Sequence, residues 1–332
     1  MASKRPHMIP AGEVNLDRTL AFELAHVSDS AAIAAARLRG HGDERAADEA
    51  ACTTMRAELL TLAIDGTVVL GEGERHQASQ LYTGEKLGTR KGPRVDIALE
   101  PLEGTTLCAK GLANAISVVA IGPEGCFLPV PDMYMDKIAI GPGYPEGLID
   151  LDYSPARNLK ALSEAKGIPV SALTACILDR PRHAQLIEEV RATGASVRLI
   201  GDGDIAAIIQ TTAPETTGID IYLGMGGARQ GILAAAALRG IGGQMQGRLV
   251  ADRPELIDQL RKAGFGNPRR KYDLSEMAVG DILFAATGIT DGKPLKGVKF
   301  GTTTITTHTL VTRSSTRTVR WIKTRHANQI QI

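Results

Sequence analysis

The chain has 332 residues, of which 43% are hydrophobic and 23% charged, and its formal net charge is +1. That length can bury one large core or two moderate ones, while the near-zero charge gives no global pull toward nucleic acid or an anionic membrane. Aromatic residues make up only 4%, too few for the stacking platforms that single strands use.

The N-terminus, Met-Ala-Ser-Lys-Arg-Pro-His, has no apolar core of the signal-peptide kind. No run approaches the roughly 18 apolar residues of a membrane span. Cys52, Cys108, Cys126 and Cys176 are widely spaced and form no Cys-x-x-Cys pair, as in a reducing compartment. A cytoplasmic protein without a membrane or nucleic-acid partner is the expectation.

In chain order, residues 1–15 read as a loose tail. Leu16–Arg39 reads as a helix, with Leu20, Leu24, Ala31 and Ala34–Ala36 at near-helical spacing and Gly40 closing it. Asp43 stands where a second helix starts, running through Ala50, Met55 and Leu59-Leu60. Ile64–Gly71 reads as a short strand with turn material at Asp65-Gly66. Val95–Leu99, Ala115–Ile121 and Met135–Ile140 read as further strands. Near residue 150 the pattern becomes strand, polar loop, helix. Leu173–Leu178, Ser196–Ile200 and Ile219–Leu223 each precede such a loop, so ligand groups should collect at carboxyl ends of strands. Gly301–Lys323, rich in Thr and Val, reads as antiparallel strands. The change of texture divides the chain into 1–150 and 151–332.

The chemistry centres on Val95-Asp-Ile-Ala-Leu-Glu-Pro-Leu-Glu-Gly-Thr-Thr106. An apolar strand ends on Glu100 and Pro101 stops it; Glu103, Gly104 and Thr105 follow. Two carboxylates and a hydroxyl at a strand edge suit a hard cation bridging to phosphate oxygens. Upstream, Gly71-Glu72-Gly73-Glu74 forms a second acidic strand end. Asp43 fits either a helix N-cap or a metal ligand, and the two roles are compatible. A divalent ion would neutralise phosphate charge and acidify a bound water, and phosphoryl transfer is mostly positioning and charge stabilisation. Thr105 would orient the attacking water. Downstream, Arg180 and Arg182 straddle Pro181, and guanidinium forks match phosphate oxygens. Asp202 and Asp204 flank Gly203 and could bind sugar hydroxyls or form an Asx turn. Gly224-Met-Gly-Gly-Ala-Arg-Gln-Gly231 follows a strand and opens an Ala-rich helix, offering amides to an anion. It lacks the third glycine of a dinucleotide fingerprint and the Gly-Lys-Ser/Thr of a P-loop.

Gly42-Asp43, Ile64-Asp65-Gly66-Thr67, Gly71-Glu72-Gly73-Glu74, Pro131-Asp132-Met133-Tyr134-Met135, Arg180-Pro181-Arg182-His183, Asp202-Gly203-Asp204 and Ala286-Thr287-Gly288-Ile289-Thr290 resemble, in order and over nearly the whole chain, the class II (GlpX-type) fructose-1,6-bisphosphatases. The resemblance implies an α/β fold of the lithium-sensitive sugar-phosphatase type, an α/β/α/β/α sandwich with mixed sheets. It also implies dependence on Mg²⁺ or Mn²⁺. The implied reaction is hydrolysis of the 1-phosphate of fructose 1,6-bisphosphate, with sedoheptulose 1,7-bisphosphate as a further substrate in some members. A homo-oligomer, dimer or tetramer, is expected.

Carried over by position, the metal ligands are Asp43, Glu72, Glu100, Glu103 and Gln230. Catalysis falls to Thr105, assisted by Asp43 and Glu103. Substrate contacts fall on Glu103, Gly104, Thr105, Tyr134, Arg180, Arg182, Asp202, Asp204 and Gly227, with Arg229 beside them.

The chain departs from the family in two places. The family has Asp-Pro-x-(Asp/Glu)-Gly-Thr, and here the first acid is Glu100, one methylene longer. The family has Gly-Gly-x-Pro-Glu-Gly, and here Arg229 and Gln230 replace the Pro and Glu. An anionic ligand becomes a neutral amide, and Arg229 could supply charge to the substrate. Two alternatives follow: the same mechanism on another phosphorylated sugar, or a non-catalytic sugar-phosphate-binding relative.

Overall fold

The structure, a computed structural model, describes Leu16 and residues 18–328; the tail expected over 1–15 lies outside them. The chain begins with α1 (Leu20–Ala36), α2 (Glu44–Thr61), β1 (Asp65–Leu70), β2 (Lys86–Leu87), β3 (Arg94–Glu103), α3 (Thr105–Ala109) and β4 (Ile116–Pro123). It continues with β5 (Tyr134–Ile140), α4 (Pro155–Lys166), β6 (Thr174–Leu178), α5 (Ala184–Ala192), β7 (Ser196–Ile200), α6 (Asp204–Gln210), α7 (Pro214–Thr217), β8 (Ile221–Gly227) and α8 (Ala228–Ile241). Then come β9 (Gln244–Leu249), α9 (Pro254–Lys262), β10 (Lys271–Asp273), α10 (Leu274–Met277), β11 (Leu283–Gly288), β12 (Lys299–Phe300), β13 (Thr304–Arg313) and β14 (Thr318–Ala327). Strands and helices alternate around mixed sheets, which is an α/β fold. No described helix is long and apolar enough to cross a membrane.

The chain forms two compact units, and their limits differ from a cut at 150. One unit is Leu128–Ala278; the other joins described residues up to Phe127 with those from Val279 onward. The reason is strand pairing. β11 lies antiparallel beside β4, with Phe284 opposite Ala120, so the C-terminal strands complete the sheet that the N-terminal segment began. Composition along the chain carries no trace of such a return.

In the unit containing both ends of the described chain, the sheet runs β12-β13-β11-β4-β3-β1-β2, with β14 along the other side of β13. Only β1 and β3 are parallel. Leu24, Val27 and Ala31 of α1 and Met55 and Leu59 of α2 pack with Ile97 and Leu99 of β3, Val119 and Ile121 of β4 and Val311 of β13. The expected helix over Leu16–Arg39 is thus α1, and burying one such Leu contributes roughly 1.5–3 kcal/mol.

Two local expectations are corrected here. Asp65-Gly66 opens β1 rather than forming a turn, because a side chain at Gly66 would meet Ile97 Cδ1 at 2.6 Å. β3 also runs through Pro101 instead of stopping there. Glu100 faces Val118 and Glu103 faces Ile116, so the strand carries one extra residue. At such a bulge the ladder is interrupted, and the missing N–H of proline costs little.

The other unit has the sheet β10-β9-β5-β8-β6-β7, in which β6 is parallel to β7 and β8 and the remaining pairs are antiparallel. Ile138, Ile177 and Leu223 on one face pack with Leu159 and Leu162 of α4 and Val190 of α5. Met135 and Lys137 point the opposite way, against Gly231 of α8. The glycine stretch from Gly224 to Gly227, read from sequence as the loop before a helix, is instead the end of β8 and pairs with Lys137–Tyr134 of β5.

Candidate active site

Asp43 is the N-cap of α2: its Oδ1 accepts the Ala46 N–H at 2.9 Å, and its backbone is extended. That satisfies one of the free amides at a helix start. One turn inside α2, Asp48 and Cys52 stand four residues apart and so share a helix face. Glu72, in the loop after β1, comes to the same place. The ligand-type atoms of Asp48, Cys52 and Glu72 all lie within 4.8 Å of one another, the one such group among the described residues. Of the expected ligands this tight group contains Glu72, while Asp48 and Cys52 were missed.

Glu100 belongs to the same electrostatic neighbourhood. Burial, and then the negative charges of Glu72, Asp48, Glu100 and Glu49, push the Cys52 thiol far above its ordinary range. Burial also raises the Asp48 carboxyl. The sulfur therefore keeps its proton, and the donors on offer are carboxylate oxygens from α2, from the loop after β1 and from β3. This set fits a hard divalent cation better than a thiophilic one.

The strand that brings Glu100 there ends in Glu103, which is buried. Gly104 then turns the chain with φ 83° and ψ 54°, and Thr105 opens α3. The positive φ is a region that favours glycine, and a Cβ at Gly104 would lie 2.9 Å from Leu107 Cδ1. The bulge at Pro101 fixes which way the last acid and the hydroxyl leave the strand.

In the other unit, the predicted phosphate and sugar residues gather at the ends of β6, β7 and β8. Arg180 donates to Gly201 O at 2.7 Å and to Asp179 O at 3.0 Å. Arg182 donates to Met225 O at 2.9 Å and sits over the Tyr134 ring, 4.7 Å from its centroid. Tyr134 is itself 52% exposed, so this pair faces solvent. His183 is structural: Nδ1 donates to Leu178 O at 2.7 Å while Nε2 accepts the Met225 N–H at 2.8 Å. Both nitrogens are engaged, which fixes the neutral tautomer and ties the end of β6 to β8.

Asp202 closes an Asx-type contact onto Gly203 N at 2.9 Å. Asp204 does something the sequence did not show. It is buried and ion-paired with Lys137, whose side chain is 0% exposed and which also donates to Gly227 O at 3.0 Å. Gly226 has to be glycine here, since a Cβ would fall 1.8 Å from Asp204 Oδ2. Lys137 thus holds the end of β8 and the start of α8. A lone lysine in an apolar strand, Met-Asp-Lys-Ile-Ala-Ile, was the available signal, because an unpaired buried ammonium is too costly to keep. Gly227 caps α8, and a Cβ on it would lie 1.9 Å from Gln230 Oε1, so the amide folds back over the helix start. Arg229 pairs with Asp132 at 3.3 Å, which already answers part of its charge.

Known proteins resemble this chain across almost its whole length. Residues 18–326 match the family described as bacterial fructose-1,6-bisphosphatase, glpX-encoded. Fructose-1,6-bisphosphatase 1 class 2 of Escherichia coli K12 is 42% identical over 322 residues, covering 93% of this chain and 95% of that protein. The class 2 enzyme of Shigella flexneri shows the same identity and coverage. D-fructose 1,6-bisphosphatase class 2/sedoheptulose 1,7-bisphosphatase of Synechococcus sp. JA-3-3Ab is 40% identical, covering 94% of this chain and 96% of its own. With the acidic group on α2, β1 and β3 and a match spanning both units, the chain belongs to the glpX-encoded bacterial fructose-1,6-bisphosphatase family.

Proposed function

We propose that this protein hydrolyses the 1-phosphate of fructose 1,6-bisphosphate, giving fructose 6-phosphate and inorganic phosphate, and that sedoheptulose 1,7-bisphosphate is a second substrate. The observation that carries this reading is the convergence of Asp48 and Glu72 at Cys52, within the field of Glu100. Mg²⁺ or Mn²⁺ is the proposed cofactor, held by Glu72, Glu100 and Glu103 together with Asp43 and Asp48. Such an ion supplies neutralisation of phosphate charge and polarisation of the phosphoryl oxygens.

The chain's own groups do the positioning. Thr105 Oγ1 orients water in line with the P–O bond, and Asp43 or Glu103 accepts its proton. As the P–O bond breaks, the sugar's C1 oxygen leaves as an alkoxide that takes a proton from solvent, and the attacking oxygen ends up in inorganic phosphate. Gly104 lets the phosphate approach the backbone. Arg180 and Arg182 have the chemistry for the second phosphate, with Tyr134, Asp202 and Gly227 lining the sugar. Asp204 acts through Lys137, as a positioning residue. We assign Arg229 no primary phosphate contact, given its pairing with Asp132. A cytoplasmic homo-oligomer, dimer or tetramer, completes the proposal.

The test is metal-dependent phosphate release across a panel of sugar mono- and bisphosphates, comparing the natural chain with Gln230→Glu. Preference for the two ketose bisphosphates supports the reading. A preference for another phosphorylated sugar would redirect it, and sugar-phosphate binding without release under either ion would overturn it.

A further inference from the structure

We infer that the unit built on α1 carries, between the start of that helix and strands β13 and β14, a binding site for a small organic anion: a phosphate or carboxylate attached to an apolar body. A pocket of about 270 Å³ lies there, and three guanidinium groups line it, those of Arg18, Arg313 and Arg320. They are not equivalent. Arg313 is already committed, forking onto Asp281 at 3.0 and 2.6 Å and donating to Leu16 O at 3.0 Å. Arg320 bonds only the neighbouring Thr318 hydroxyl, at 2.8 Å, among the described residues. Arg18 has no hydrogen bond or ion pair among them. Asp281 therefore answers Arg313, and among the described residues no carboxylate answers Arg18 or Arg320 beside the pocket.

Two further features point to the ligand's shape. Arg18 lies two residues before α1, a helix of 17 residues whose N-cap is Thr19, so the positive end of a full-length helix adds to the same field. The remaining wall is mostly apolar, with Thr316 and Thr318 as its polar members. It includes Ile322 and Phe22, and the Phe22 ring is 63% exposed although it borders a concavity. Inorganic phosphate would satisfy the guanidinium forks and leave that ring in water. A purely apolar molecule would bury the ring and leave two unpaired charges. A ligand with an anionic head and a flat apolar body satisfies both. The doubly phosphorylated, hydroxyl-rich sugar proposed as substrate lacks such a body.

The probe is phenylphosphonate, which a phosphatase cannot cleave because its carbon is bonded directly to phosphorus. Calorimetry on the full chain compares it with inorganic phosphate and benzyl alcohol. Phenylphosphonate is expected to bind about tenfold more tightly than either. Arg18→Gln/Arg320→Gln should weaken it by about tenfold or more while leaving the melting temperature and sugar-bisphosphate hydrolysis unchanged, because both side chains are exposed. Phe22→Ser should abolish the preference over inorganic phosphate and leave phosphate binding as it was. Unaltered phenylphosphonate binding in the double variant would overturn the site. Phenylphosphonate binding no more tightly than inorganic phosphate in the natural chain would overturn the ligand class.

Discussion

The acidic group at α2, β1 and β3 and the arginine–glycine group at β5, β6 and β8 are built on opposite plans. In the first, burial raises the Asp48 carboxyl, and burial together with carboxylates from separate elements raises a buried thiol. Such an arrangement is stabilised by a cation from outside. In the second, the partners come from within the unit: His183 uses both nitrogens on backbone groups, and Asp204 has Lys137. One region gathers carboxylates around a buried thiol; the other is a framework that fixes Arg180 and Arg182 before any ligand arrives. In the proposed reaction, chemistry belongs to the first and preorganisation to the second.

The largest expected effects are in the acidic group. Glu72→Gln should lower phosphate release by on the order of a hundredfold or more and weaken Mn²⁺ binding, read by electron paramagnetic resonance. Thr105→Ala should cost comparable activity while Mn²⁺ binding stays intact, which separates water orientation from metal holding. Near-normal turnover in either variant removes that residue from its assigned role.

In the framework the expected currency is stability. Lys137→Met leaves Asp204 as an unpaired buried carboxylate and should cost about 3–5 kcal/mol in chemical denaturation. Lys137→Met/Asp204→Leu should recover much of that loss, yet leave β8 less well fixed, with a raised KM. If the single variant is as stable as the natural chain, the ion pair does not organise the unit.

A smaller effect tests the sheet beneath the acidic group. Burial, partly offset by the N–H of Gly125 at 2.7 Å, raises the carboxyl of Asp96 to about 6. The folded state then holds this proton more tightly than the unfolded chain does. Folding stability conferred by the protonated form is present below the unfolded value near 4 and is lost as pH rises through 6. Asp96→Asn should therefore be more stable than the natural chain above pH 6, by on the order of 1 kcal/mol, with the gain vanishing near pH 4. A gain independent of pH would show that charge is not the cause.

The smallest effect concerns the two roles of Asp43. Asp43→Ala should lose about 1 kcal/mol of stability with the cap. Asp43→Asn keeps the cap and removes only the charge, so activity should fall while the melt holds. Equal activity of Asp43→Asn and the natural chain would leave Asp43 as a cap alone.

Local physics made part of this readable from sequence. Asp43 before an apolar helical pattern marks an N-cap whatever the tertiary structure, and β7 appears at the expected residues, Ser196–Ile200. The tail strands were legible from β-branched alternation. What stayed hidden depends on partners distant in the chain. Pro101 breaks a strand unless a facing strand accepts a bulge. Asp48 and Cys52 look like ordinary helix residues until Glu72 arrives beside them. The glycines before α8 read as a loop because their closeness to Asp204 and Gln230 is invisible until β5 and β8 pair.

The central claim is that the acidic group hydrolyses the 1-phosphate of a ketose bisphosphate with a divalent ion. The most direct measurement is phosphorus NMR of fructose 1,6-bisphosphate incubated with the protein and Mg²⁺ or Mn²⁺, with and without chelator. The account predicts loss of the 1-phosphate signal and growth of inorganic phosphate and fructose 6-phosphate, only when the ion is present. Release that persists undiminished under chelation, or loss of the 6-phosphate instead, would contradict it.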